Sequence, residues 1–334
     1  MKQAILHLLA VLLPMAALAQ SDCNSQRYQD TIYHTIKVTK DIKFGTATPY
    51  GLLAQPQDLY MDIYEPAGDT QTRRPLMIFQ FGGGFLIGWR SQPPIPQYCE
   101  YFAKCGYVVA SIDYRIGFDV LSTGSAERAV IRAVQDQRAA VRHLCQRANQ
   151  YKIDTASIFL TGTSAGCFAG LHSTFMLESQ IPASYHGIPL EPDDLGSIDS
   201  SGNNDYGNRN PRARGIINHW GAILDTLFID PTDNVPVLSI HGTIDMGVPY
   251  EYGYPFYYPV FPKVYGSKPI HERLTNLGIP NVLVPLEGLN HEPELIDSWV
   301  SDTMTNQGRR FLWSIIKPIT SAISGDALVC FEET

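Results

Sequence analysis

No apolar stretch in this sequence approaches the roughly 20 residues a helix needs to cross a bilayer, so the mature chain is expected to hold no integral membrane segment. Charge is sparse too. Asp, Glu, Lys and Arg make up 17% of the chain, and the formal net charge is -8. The 25 Lys and Arg residues are scattered, which excludes the basic footprint of a nucleic-acid binder and a surface directed at anionic lipid. The six cysteines match no zinc spacing, so no metal site is expected from them. Internal repeats and low-complexity runs are absent as well, which favours one domain over residues 20–334.

What is present is an ordinary globular composition, 44% hydrophobic, enough to bury a sizeable core. Lys2, an apolar run at 4–13 and the small residues Ala17, Leu18 and Ala19 follow one another in the order of a secretory signal peptide. Residues 1–19 are therefore expected to be removed on export, to the periplasm or the medium. In an oxidising compartment at least one disulfide is expected. Cys23 with Cys330 is the preferred pair, since it would tie down two fraying termini, whereas Cys167 reads as a buried free thiol.

Apolar residues alternate over 57–66, the period of a two-faced strand at the edge side of a sheet. Segments 75–81 and 107–113 are nearly continuous apolar runs, as in strands covered on both faces. Shorter runs recur at 157–161, 215–220, 235–240 and 281–285. Helix-period segments lie between them at 97–104, 126–150, 165–178, 271–277 and 293–316. This order predicts an α/β fold, a mostly parallel central sheet with helices on both faces, and places the chemistry at the carboxyl ends of the strands. Two stretches fit neither element: 189–211, rich in Asp, Asn, Ser and Gly, and 248–265, crowded with Tyr and Phe.

Gly162-Thr163-Ser164-Ala165-Gly166 follows one strand and opens a helix, the setting of a nucleophile elbow. The tight turn exposes the Ser164 hydroxyl above the sheet and sets it beside unpaired N–H groups of the helix. An activated serine needs a base, and the base needs a group to fix its tautomer. Asp245, on the loop that closes the strand at 235–240, and His291, after the last strand, fall on the same edge in the expected order. Asp225, Asp230 and Asp233 are rival acids; His219, His241 and His271 are rival bases, the first two reading as core imidazoles. Phe81-Gly82-Gly83-Gly84-Phe85 follows a central strand, so its backbone N–H groups, with that of Ala165, can hold an oxyanion.

Gly82-Gly83-Gly84-Phe85, Asp113-Tyr114-Arg115, the elbow, His241-Gly242-Thr243-Ile244-Asp245 and His291 together resemble the carboxylesterase and hormone-sensitive-lipase-like group of α/β-hydrolases over residues 38–316. The resemblance implies cofactor-free hydrolysis of a small or polymeric ester through an acyl-enzyme, with Gly83, Gly84 and Ala165 as oxyanion donors. Asp113 and Arg115 match a motif that shapes the surroundings of the site. Phe81 stands where the lipase-like pattern has histidine, a departure expected to remove polar support behind the glycine loop.

The same machinery serves peptidases of this fold, which usually carry an added domain, and a nucleophile-less relative can serve as a binding protein. All three triad positions are filled here. Phe85, Tyr250, Tyr252 and Tyr254 are expected to form the apolar wall that receives the ester. The motifs name the reaction and leave open the acyl and alcohol groups and the oligomeric state.

Overall fold

A computed structural model describes residues 26–317 apart from 186, 187, 189, 190, 192–194 and 199–211. The expected leader, Cys23, Cys330 and most of the 189–211 loop lie outside the described residues.

The continuous apolar runs become the middle of an eight-stranded sheet. In chain order the strands and helices are β1 Ile36–Ala47, β2 Gln57–Pro66, β3 Arg74–Gln80, α1 Ile95–Lys104, β4 Val108–Ile112, α2 Thr123–Gln146, α3 Ala148–Tyr151, β5 Ile153–Thr163 and α4 Ala165–Phe175. They continue as β6 Gly215–His219, β7 Val237–Gly242, the short β8 Tyr252–Gly253 and β9 Val264–Tyr265, α5 Ser267–Asn276, β10 Asn281–Leu286 and α6 Ser298–Ile316. The sheet order is β1-β2-β4-β3-β5-β6-β7-β10. β2 is antiparallel to both β1 and β4, and every pairing from β4 to β10 is parallel. β3 and β4 are buried along their whole length, as strands between two helical layers must be.

The strand expected at 57–66 on the edge side of the sheet lies one in from the edge. β1 pairs outside it, and β2 is buried from Met61 to Pro66. β1 escapes a periodicity reading because register shifts fall between Thr39 and Ile42 and between Lys43 and Gly45, and a bulge resets the two-residue alternation. The helix expected over 126–150 begins earlier, where the Ser122 side chain accepts the Ser125 N–H. It ends at Gln146, and a separate turn follows that is closed by Lys152 at φ 52°. The last helix starts only at Ser298, because Pro293–Leu295 forms a 3₁₀ turn first. Among the described residues no helix is long and apolar enough to cross a membrane, and Cys99, Cys105, Cys145 and Cys167 are free thiols.

Candidate active site

Ser164 sits between the end of β5 and the start of α4 with φ 49° and ψ -119°. A non-glycine residue there is strained by about 1–3 kcal/mol and is held only by its surroundings. Two constraints hold it. The Ser164 N–H donates to the carbonyl of His219 at 3.0 Å, and the flanking glycines let the Gln80 carbonyl close on the turn. A Cβ on Gly162 would lie 2.3 Å from that oxygen, and one on Gly166 2.0 Å. Any side chain at either position would push the elbow off β3.

The three expected triad residues meet. Ser164 Oγ lies 2.9 Å from His291 Nε2, and His291 Nδ1 lies 2.7 Å from Asp245 Oδ2. The carboxylate only accepts, so Nδ1 carries the hydrogen and the bare Nε2 accepts the serine hydroxyl. Asp245 Oδ1 takes the N–H groups of Gly247 and Val248, each at 2.7 Å. Burial alone would raise the Asp245 carboxyl, but hydrogen bonds from His241 and His291 outweigh it and hold it at about 2. It therefore stays ionised far into acid.

Two residues outside the sequence-level reading place the base. Asn290 Oδ1 accepts the N–H of both Met246 and His291 at 2.8 Å, which ties the acid loop to the base loop. Gly247 lies under the imidazole; a Cβ there would come 2.7 Å from the ring.

The rivals have other work. Asp225 caps a 3₁₀ turn through the Leu227 N–H, and Asp233 accepts the Asp230 N–H. His219 is wholly buried with Nδ1 2.8 Å from the Gly162 carbonyl, and burial pushes it down to about 4. His271 lies on α5. His241 is buried, as expected, yet its Nε2 lies 3.2 Å from Asp245 Oδ2, so a purely structural reading of it is too narrow.

Gly83 and Gly84 take φ 108° and 62°, and a Cβ on Gly83 would sit 2.1 Å from the Ile87 carbonyl oxygen. Among the described residues no hydrogen bond occupies the N–H groups of Gly83, Gly84 or Ala165. Support behind this loop survives the loss of histidine at Phe81: the Tyr114 hydroxyl donates to the Phe81 carbonyl at 3.0 Å, and the two rings stack at 4.2 Å. Asp113 instead accepts from Arg90 at 2.6 Å, and Arg115 pairs with Asp136 at 2.9 Å; both brace the surroundings.

An apolar cavity opens beside Ser164, walled by Phe85, Phe118, Phe168, Leu224, Phe256 and Phe261 among others. Phe85 is therefore where the sequence puts it. Tyr250, Tyr252 and Tyr254 do not line the cavity, a correction with a physical cause. The hairpin register faces Tyr252 with Tyr265, whose rings stand 4.5 Å apart. Lys263 Nζ lies 5.2 and 5.1 Å from the rings of Tyr252 and Tyr254, and Tyr250 packs edge-on against His241. The chain then turns through Phe256 at φ 53°, which brings that ring within 3.9 Å of a Cβ position on Gly84.

On the other side of the elbow lies a more polar cavity lined by Tyr98, Thr163, Glu292 and Glu294. Burial, helped by the neighbouring Glu292 charge, pushes the Glu294 carboxyl from 4.5 up to about 8, and among the described residues its Oε2 has no partner. The folded chain therefore keeps a proton that the unfolded chain releases above about 4.5, so stability falls as pH rises from there to about 8. Glu294→Gln is expected to raise the melting temperature by about 5 °C above pH 8 and hardly at all below pH 4.5. Melts across that range check it; a gain independent of pH would contradict the assignment.

Comparison with known proteins finds similarity over part of the chain. The family model BD-FAE matches residues 61–185. Carboxylesterase 1C of Rattus norvegicus is 34% identical over 110 residues, 32% of this chain and 20% of that protein. Bile salt-activated lipase of Homo sapiens is 31% identical over 116 residues, 32% and 15% of the two chains. Neuroligin-like protein glit-1 of Caenorhabditis elegans is 29% identical over 128 residues, 37% of this chain and 17% of that one. The matches thus span about a fifth or less of these relatives. Esterase 2 of Thermogutta terrifontis, solved phosphorylated by paraoxon, superimposes with a TM-score of 0.57 at 22% identity, over 78% of this chain and 90% of that one. The fold is the α/β-hydrolase fold.

Proposed function

We propose that this protein is a serine carboxylic-ester hydrolase. The observation that carries the reading is the unbroken relay from Ser164 through His291 to Asp245 beside an apolar cavity and three open N–H donors. In this reading Ser164 Oγ attacks the ester carbonyl carbon while His291 Nε2 takes its proton. The oxyanion is held by the N–H groups of Gly83, Gly84 and Ala165, a kind of contact worth about 3 kcal/mol per donor. The imidazolium then gives its proton to the departing alkoxide, leaving the acyl group on Ser164. Water repeats the sequence and releases the acid. The carboxylesterase and lipase relatives, and the paraoxon-reactive esterase with the same fold, support this reading.

The fold also carries nucleophile-less binding proteins, and the occupied, hydrogen-bonded triad argues against that reading here. The amino-terminal leader pattern supports export. Turnover of p-nitrophenyl acyl esters against a p-nitroanilide peptide tests the function. Ester cleavage with the anilide slower by at least about a hundredfold is expected, and preference for the anilide would make the protein a peptidase. Phe256 is 55% exposed, so Phe256→Ala should leave the melting temperature nearly unchanged while shifting preference toward longer acyl chains by about tenfold. Tyr252→Ala should leave the chain-length ratio unaltered. Equal responses of the two variants would refute the cavity as the acyl site.

A further inference from the structure

A buried chain of polar groups runs from Asp245 away from the substrate side, and each of its donors and acceptors can be assigned. His241, at the end of β7, has Nε2 3.2 Å from Asp245 Oδ2 and 3.1 Å from the Val248 carbonyl. Both partners only accept, so Nε2 carries a hydrogen. Nδ1 lies 2.8 Å from Ser267 Oγ, at the start of α5. Ser267 accepts from Asn218 Nδ2 at 3.1 Å, which leaves its own hydrogen for Nδ1. Asn218 is fixed in turn, since its Oδ1 accepts the Gly221 N–H at 3.0 Å and its Nδ2 also reaches Ser239 Oγ. His241, Ser267 and Asn218 are all wholly buried, so water does not compete for these bonds.

We propose that Ser267, acting through His241, is a positioning residue for Asp245 and through it for the base. The inference rests on the esterase reading of the triad. Asp245 is gripped on both oxygens: backbone N–H groups hold Oδ1, and two imidazoles converge on Oδ2. The two acceptors at Nε2 fix its hydrogen there, and the Ser267 hydroxyl, donating to the bare Nδ1, anchors the ring and polarises it so that Nε2–H donates more strongly to Oδ2. Without that hydroxyl Nδ1 is left buried and unpaired, the ring loses its anchor, and the bond to Oδ2 weakens. More of the carboxylate's charge then falls on His291, which favours the imidazolium and weakens the base at neutral pH.

The groups facing this carboxylate are few. His241 comes from β7 and His291 from the loop after β10. Tyr250 packs edge-on on His241 with ring centres 5.6 Å apart, and Lys268, next to Ser267, pairs with Glu251 at 2.5 Å. Among the described residues no Lys or Arg forms an ion pair with Asp245.

The test is Ser267→Ala in the full chain, with Ser267→Thr restoring a hydroxyl, assayed as kcat and KM on a soluble p-nitrophenyl ester across pH. For Ser267→Ala the expected result is a fall in kcat of about tenfold with KM unchanged. The acid limb of kcat/KM should move to higher pH and the downfield His291 Nδ1 proton resonance should shift, with both restored toward the parent in Ser267→Thr. A pH profile superimposable on the parent's overturns the proposal, whether kcat holds or falls together with the melting temperature. A parent enzyme that neither hydrolyses the ester nor takes a fluorophosphonate label would instead overturn the esterase reading itself.

Discussion

Ser164→Ala is expected to lower ester turnover by about 10⁴- to 10⁶-fold and to abolish fluorophosphonate labelling. Alanine keeps the backbone turn but removes the one hydroxyl that His291 Nε2 can deprotonate. The described thiols cannot replace it. Cys167, three residues further on, is buried with Sγ 2.9 Å from the Gly162 carbonyl, and burial pushes its thiol up to about 12. Cys145 is pushed up to about 11 and Cys105 to about 12 in the same way. Such groups are thiols rather than thiolates at neutral pH and are poor nucleophiles. Intact-mass analysis after labelling checks the claim: an adduct surviving in the alanine variant would place the nucleophile elsewhere.

Asp245→Asn should cost about 10⁴-fold in kcat with the fold intact. The Asn Oδ1 still accepts the N–H groups of Gly247 and Val248, so the loop keeps its shape. The change falls on the other atom. Where Oδ2 accepted from His291 Nδ1 at 2.7 Å, an NH₂ group now donates. The imidazole then bonds well only with Nδ1 bare and Nε2 protonated, and that tautomer cannot take the serine hydrogen. The NH₂ also faces His241 Nε2, itself a donor in the parent. Thermal melts close to the parent's alongside the kinetic loss are expected. A variant within tenfold of the parent would mean that the carboxylate does not set the base's tautomer.

These expectations also mark how far the sequence alone reached. The triad was legible because each member sits at a strand end within a local pattern, and the parallel sheet brings strand ends to one edge. The central strands were legible for a related reason: burial on both faces leaves β3 and β4 almost no polar residues. β1 was not, since its register shifts break the alternation and Asp41 takes φ 56° in its midst. The wall of the cavity was missed at Tyr250, Tyr252 and Tyr254 because nearness along the chain to Asp245 says nothing of which way a hairpin turns its rings. Gly247 and Asn290 matter through contacts between two loops far apart in sequence, a signal no single window contains. Tyr114 carries its role through its position behind Phe81, so only packing reveals it.

The triad is spread unevenly along the chain. The acid precedes the base by 46 residues, while the nucleophile precedes the base by 127, and the base follows the sheet's last-made strand. During synthesis Ser164 is made well before the residue that activates it exists. β10 must then add beside β7 at the end of the sheet, a pairing that cannot form before β10 itself is made. A nascent chain therefore carries an inert serine until His291 has been made and brought to it, so the order in which the polypeptide is made itself delays hydrolysis.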